Sequence, residues 1–144
     1  MRIGIHHKKG TFSERWIAYC QDKSIDYKID LGQTEGGIVQ GIGWLTLEEI
    51  KYSNKGVLLS NTLSTYKIPD IYSVPKLIEV KFLDNSENRF GPLSSKAIGE
   101  PPFMYGIGTY FAIYNAVKSF NHKSDIKYSA PITPEKVLMG LYEN

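Results

Sequence analysis

Apolar positions along the chain recur with two different periods, and each predicts its own kind of element. From Phe103 to Phe120, Ile107, Tyr110, Phe111, Tyr114 and Val117 return at three- and four-residue steps. That spacing predicts a helix with these five side chains on its buried face. From Leu77 to Leu83, Ile78, Val80 and Phe82 alternate with Glu79 and Lys81, the period of a strand with one face in the core. Residues 1–30 read as a small β-α-β segment: a strand over Arg2–His6, a loop at Lys8-Lys9-Gly10, a helix from Ser13 to Asp22, and a second strand over Asp26–Ile29. Thr11 or Ser13 would cap that helix, and Trp16, Ile17 and Cys20 would share its face.

After Leu31 the pattern changes. Thr34 to Ile50 has helical spacing at Ile38, Ile42 and Leu45, yet it contains Gly36, Gly37, Gly41 and Gly43. A glycine inside a helix costs about 0.5–1 kcal/mol against alanine, so four cost roughly 2–4 kcal/mol. Close approach of another element, or of a ligand, would compensate; the pattern leaves both open. Ile50–Ser53 and Val57–Ser60 predict a hairpin closed by Asn54-Lys55-Gly56, with the glycine free to take a positive φ. Residues 64–75 and 84–93 read as loop, and Thr133-Pro134-Glu135 opens a last short helix with Thr133 as N-cap and Pro134 in its first turn. The fold class is α+β, with a boundary near Asp30-Leu31 separating the β-α-β segment from residues 31–144.

Composition narrows the function. At 144 residues with 42% apolar content, the chain can bury one core. A net charge of +2, from 17 basic and 15 acidic residues without clusters, gives no field for nucleic acid or a membrane surface. Cys20 is the single cysteine, which excludes a disulfide framework and cysteine-held iron–sulfur or zinc clusters on this chain. That usage suits the cytoplasm. His6 and His7 are strand neighbours that face opposite ways, so they make no metal pair, and no metal-ligand set is expected. Gly41-Ile42-Gly43 and Gly106-Ile107-Gly108 lack the third glycine of a dinucleotide fingerprint.

The chemistry concentrates in Ser95-Lys96-Ala97-Ile98-Gly99-Glu100-Pro101-Pro102. Gly99 permits a tight turn, Pro101 and Pro102 fix φ and remove two donors, and Pro101 should push Glu100 away from helical geometry. One carboxylate is thus held on a stiff loop at the mouth of the Phe103–Phe120 helix. Glu100 is either a general base or a structural carboxylate capping that helix. Lys96 either orients it or lies in solvent.

Three motifs occur in order: Gly32-Gln33-Thr34-Glu35-Gly36-Gly37-Ile38-Val39-Gln40-Gly41, Ser64-Thr65-Tyr66-Lys67-Ile68-Pro69, and Ser95 to Pro102. Through them, residues from about Asp30 to Leu141 resemble the C-terminal part of the molybdopterin-binding subunit of bacterial xanthine dehydrogenases. The resemblance implies an α+β fold from a cofactor-binding domain and hydroxylation of hypoxanthine- or xanthine-type purines. It implies that Glu100 is the general base towards the molybdenum-bound hydroxyl and Gln33 a cofactor ligand. Taken alone, Gln33 is an ordinary loop or cap residue. Gln33 should lie at the N-terminus of the glycine-rich helix, where free N–H groups favour an anion. The resemblance further implies a molybdenum–molybdopterin cofactor, with FAD and iron–sulfur clusters on other chains or domains. Its partners would be other subunits or the missing upstream portion, since the family's subunit is several times longer. The implied product is then a fragment, incomplete alone, or a non-catalytic binding module that keeps the fold. Residues 1–30 resemble instead the opening strand–helix–strand of ATP-grasp-type proteins.

Overall fold

The computed structural model describes residues 15–20, 26–83 and 88–142. Strand β1 (Arg15–Cys20) pairs in parallel with β2 (Leu77–Phe82), Arg15 opposite Leu77 and Cys20 opposite Phe82. Between them runs the long helix α1 (Tyr27–Thr46). Two short 3₁₀ helices follow, Pro92–Ser94 and Pro101–Gly106, and then α2 (Ile107–Phe120) and α3 (Pro134–Tyr142). The class is mixed α and β, with the two paired strands as its only sheet among the described residues.

The β-α-β arrangement exists, but not where the sequence places it. Arg15–Cys20 is a strand rather than part of a helix over 13–22. The spacing of Trp16, Ile17 and Cys20 fits either element, and the available strand partner in β2 decides it. Asp26–Ile29 is not a strand; it opens α1. Asp26 is the N-cap, its carboxylate accepting from the backbone N–H groups of Lys28 at 3.0 Å and Ile29 at 3.3 Å, the bonds that make Asp a strong helix starter. The helix then crosses positions 30 and 31 without a break. The expected strand over Arg2–His6 and the histidine pair lie outside the described residues.

Two apolar clusters hang on α1. Ile38 and Ile42 pack with Val80 of β2 and Tyr105. Leu45, at the other end, packs with Tyr110 and Val117 of α2 and with Ile126 and Ile132. The carbonyl of Leu45 also accepts from the N–H of Ile132 at 2.7 Å, tying the segment before α3 to α1. On α2 the buried stripe is narrower than the spacing predicts: Tyr110 and Val117 are buried and Tyr114 is partly so, but Ile107 and Phe111 are exposed at 42% and 48%. The hairpin forms as expected, with Tyr52 bridging Leu58 and Gly56 at φ 76°. Thr133 caps α3, its hydroxyl accepting from the N–H of Lys136 at 3.3 Å.

Glycines explain how α1 meets the chain's last third. A Cβ at Gly37 would lie 2.7 Å from the carbonyl oxygen of Gly99, and one at Gly41 would strike the carbonyl of Phe103. Gly106 faces Gly41 in the same way. Bare backbone on both sides lets α1 and the 3₁₀ helix Pro101–Gly106 touch main chain to main chain. Dispersion contacts at that closeness offset the helix-propensity cost of these glycines.

Candidate active site at the crossing of α1 and the Gly99–Phe103 turn

That crossing has an open side. A cleft of about 550 Å³ is lined by Gly32, Gln33, Gly36, Gly37 and Gln40 of α1 and by Gly99, Glu100 and Phe103 of the opposing turn. Two sequence-predicted residues, Gln33 and Glu100, stand far apart in the chain, and the crossing brings them to the two walls of one cleft. Both are exposed. The side-chain oxygen of Gln33 leans against Gly99, where an added Cβ would come within 3.2 Å of it. The glycine before Glu100 therefore makes room for the amide.

Local geometry differs from expectation on both walls. Glu100 has φ −81° and ψ −41°, a helical conformation, despite the proline that follows it. It is the N-cap of the 3₁₀ helix, and its carbonyl accepts from the N–H of Phe103 at 3.0 Å. Its carboxylate makes no capping bond, so the structural-cap role is not the one it plays. Pro101 and Pro102 take the first two helical positions, where N–H groups have no partner within a helix, so the turn loses no bond to them. Gln33 is not at a helix N-terminus, because α1 begins at Tyr27. Its own N–H lies inside the helix, away from the free N–H groups that favour an anion.

The Ser64–Pro69 motif sits on the C-terminal half of α1. The Tyr66 hydroxyl donates to the Glu48 carboxylate, a bond that holds its proton above the ordinary tyrosine range. Pro69 packs on Gly43, which a side chain at 43 would prevent. Since Gly36 and Gly43 are two turns apart on one face, the motif blocks the far continuation of the stripe that floors the cleft. The other flank is closed by Trp44 stacked on Phe103, ring centres 4.9 Å apart.

Sequence reasoning missed two lining residues, Gln40 and Phe103. Gln40 lies within the first motif, seven residues after Gln33, and that spacing puts the two amides on one face. Phe103 reads as core from its neighbours, yet it is half-buried and lines the cleft.

The lining suits a flat polar heterocycle. Gln33 and Gln40 each offer two donors and an acceptor. Gly32 and Gly36 have nothing within 4 Å of an added Cβ. Unlike Gly37, Gly41 and Gly43, these two meet no contact among the described residues that offsets their cost, and they leave a smooth floor. A pterin ring fits such a floor between amides. Among the described residues no lysine or arginine lines the cleft. Glu100 is the one carboxylate on its walls among the described residues.

Comparison with known proteins agrees with this make-up. Residues 13–75 match the family model of the molybdopterin cofactor-binding domain, so the likeness begins well before Asp30. Aldehyde oxidase 1 of Rattus norvegicus is 39% identical over 121 residues, 81% of this chain and 9% of its own length. Xanthine dehydrogenase/oxidase of the same species is 39% identical over 120 residues, 79% of this chain and again 9% of its length. The chain thus spans about a tenth of the curated relatives it matches, and the likeness is shared between aldehyde oxidases and xanthine dehydrogenases rather than confined to bacterial xanthine dehydrogenases. Among solved structures, quinoline 2-oxidoreductase from Pseudomonas putida 86 superposes with a TM-score of 0.74 at 29% identity, covering 90% of this chain and 16% of that one. Matched segment, fold and cleft chemistry together make the chain similar to the molybdopterin cofactor-binding domain found in xanthine dehydrogenases and aldehyde oxidases.

Proposed function

We propose that this chain forms one wall of the active site of a molybdenum hydroxylase acting on hypoxanthine- or xanthine-type purines, in a cytoplasmic assembly completed by further sequence. The observation that carries the reading is the meeting of Gln33 and Glu100 across one cleft floored by Gly32 and Gly36. When bound, the molybdenum cofactor supplies the oxidising centre and the oxygen nucleophile. Gln33 and the glycine floor hold the pterin ring by amide hydrogen bonds and close contact. Glu100, with no capping bond to occupy it, would accept a proton at its carboxylate as general base. Such base catalysis is worth roughly 10²–10⁴-fold. Flavin and iron–sulfur centres, which pass electrons onward, belong to other chains or domains.

A second reading rests on the exposure of both Gln33 and Glu100 in this chain. Water at the base weakens every electrostatic interaction the chemistry needs, so the chain alone acts as a binding module without turnover. The same assay separates the two. The chain is purified with whatever accompanies it, and molybdenum content and xanthine-dependent dye reduction are measured for wild type and Glu100→Gln. Turnover lost on substitution with molybdenum retained supports catalysis. Material free of molybdenum and companion chains, with no turnover in either form, leaves the binding module.

A further inference from the structure

In the proposed site Gln33 alone holds the pterin by its amide, and the position of Gln40 gives that residue a part as well. It is exposed on α1, lines the same cleft as Gln33, and stands two turns further along the helix, about 10 Å at 1.5 Å per residue. Between the two amides lie Gly36, whose face is open, and Gly37, whose face meets Gly99. Among the described residues neither amide has a hydrogen-bond partner that would hold it elsewhere. Trp44, one turn beyond Gln40, stacks on Phe103, which lines the cleft. Resting on the proposed cofactor site, we infer that Gln40 is a second amide ligand of the pterin, gripping the amide-like N–C=O edge of its pyrimidinone ring while Gln33 holds the opposite end. An amide side chain suits that edge because it offers a donor and an acceptor side by side. A glycine between the two amides lets the fused rings lie flat against the helix backbone.

The test uses the full 144-residue chain carrying Trp16→Phe, which leaves Trp44 as its one tryptophan. Trp44 emission is followed during titration with pterin-6-carboxylate and, separately, with xanthine. Gln33→Met and Gln40→Met remove the amides while keeping side-chain length and helix propensity, and circular dichroism checks the fold of each. The expected result is saturable quenching by the pterin, weakened about 2- to 12-fold by either substitution, the worth of one hydrogen bond. Quenching weakened by Gln33→Met but untouched by Gln40→Met overturns this inference and leaves the cofactor cleft standing. Binding of xanthine alone, dependent on Gln40, also overturns it, because the amide then serves substrate. Absence of saturable quenching by either probe in the wild type removes the cleft reading and this inference with it.

Discussion

Two glycines of α1, Gly36 and Gly41, should respond to alanine in opposite directions, although helix propensity treats them alike. At Gly36 a methyl group meets nothing within 4 Å, so Gly36→Ala gains the propensity difference, about 0.5–1 kcal/mol. At Gly41 the same methyl group strikes the Phe103 carbonyl, with its carbon at 2.9 Å and the Gly106 nitrogen at 3.2 Å. These are backbone atoms and cannot rotate aside. The 3₁₀ helix must move, at the upper end of overpacking costs, about 3 kcal/mol. The propensity gain offsets about 1 kcal/mol of that, leaving a net loss near 2 kcal/mol. The two variants should then differ by about 3 kcal/mol, or roughly 10 °C in melting midpoint for a chain of this size. Circular dichroism melts of the 144-residue chain measure this directly. Gly36→Ala should melt above wild type yet bind pterin less well, because its methyl group fills the floor between Gln33 and Gln40. A Gly36→Ala midpoint below wild type, or an unchanged one for Gly41→Ala, refutes the view that backbone contact is what holds α1 to the Gly99–Gly106 segment.

The remaining predictions concern how α3 is held. Glu49 reaches Lys51 at 2.9 Å and Lys136 of α3 at 3.5 Å, and the hydrogen bond from Lys51, aided by both positive charges, lowers its pKa below the ordinary 4.5. A depressed carboxylate contributes stability above its unfolded pKa and loses it as pH falls through the folded one. Wild type should therefore lose more melting midpoint than Glu49→Gln between about pH 6 and about pH 3, and parallel curves count against the linkage. Thr133→Ala removes the N-cap bond to Lys136 and should cost about 1 kcal/mol, read from urea midpoints with m unchanged. A loss below a few tenths shows that Pro134 and the Ile132 contact hold the start of α3 without it.

Much of the local structure was legible because it is written in short spacings. The alternation over 77–83 gave β2, Gly56 gave the hairpin, Thr133-Pro134 gave the start of α3, and the motif order pointed to the family. The failures are all places where a distant partner decides. Arg15–Cys20 carries side chains that suit helix or strand, and the ladder to β2 makes it a strand. Asp26–Ile29 alternates like a strand until Asp26 is seen capping α1. For the cleft, the motifs named Gln33 and Glu100, but nothing in their spacing says that they meet. That depends on α1 crossing the Gly99–Gly106 segment closely enough for bare backbones to touch. Nor does spacing distinguish the glycines of α1. Gly37, Gly41 and Gly43 are glycine because another part of the chain occupies the place of a side chain, whereas Gly32 and Gly36 face open space. Sequence supplied the candidate residues; packing alone determined which of them share a surface.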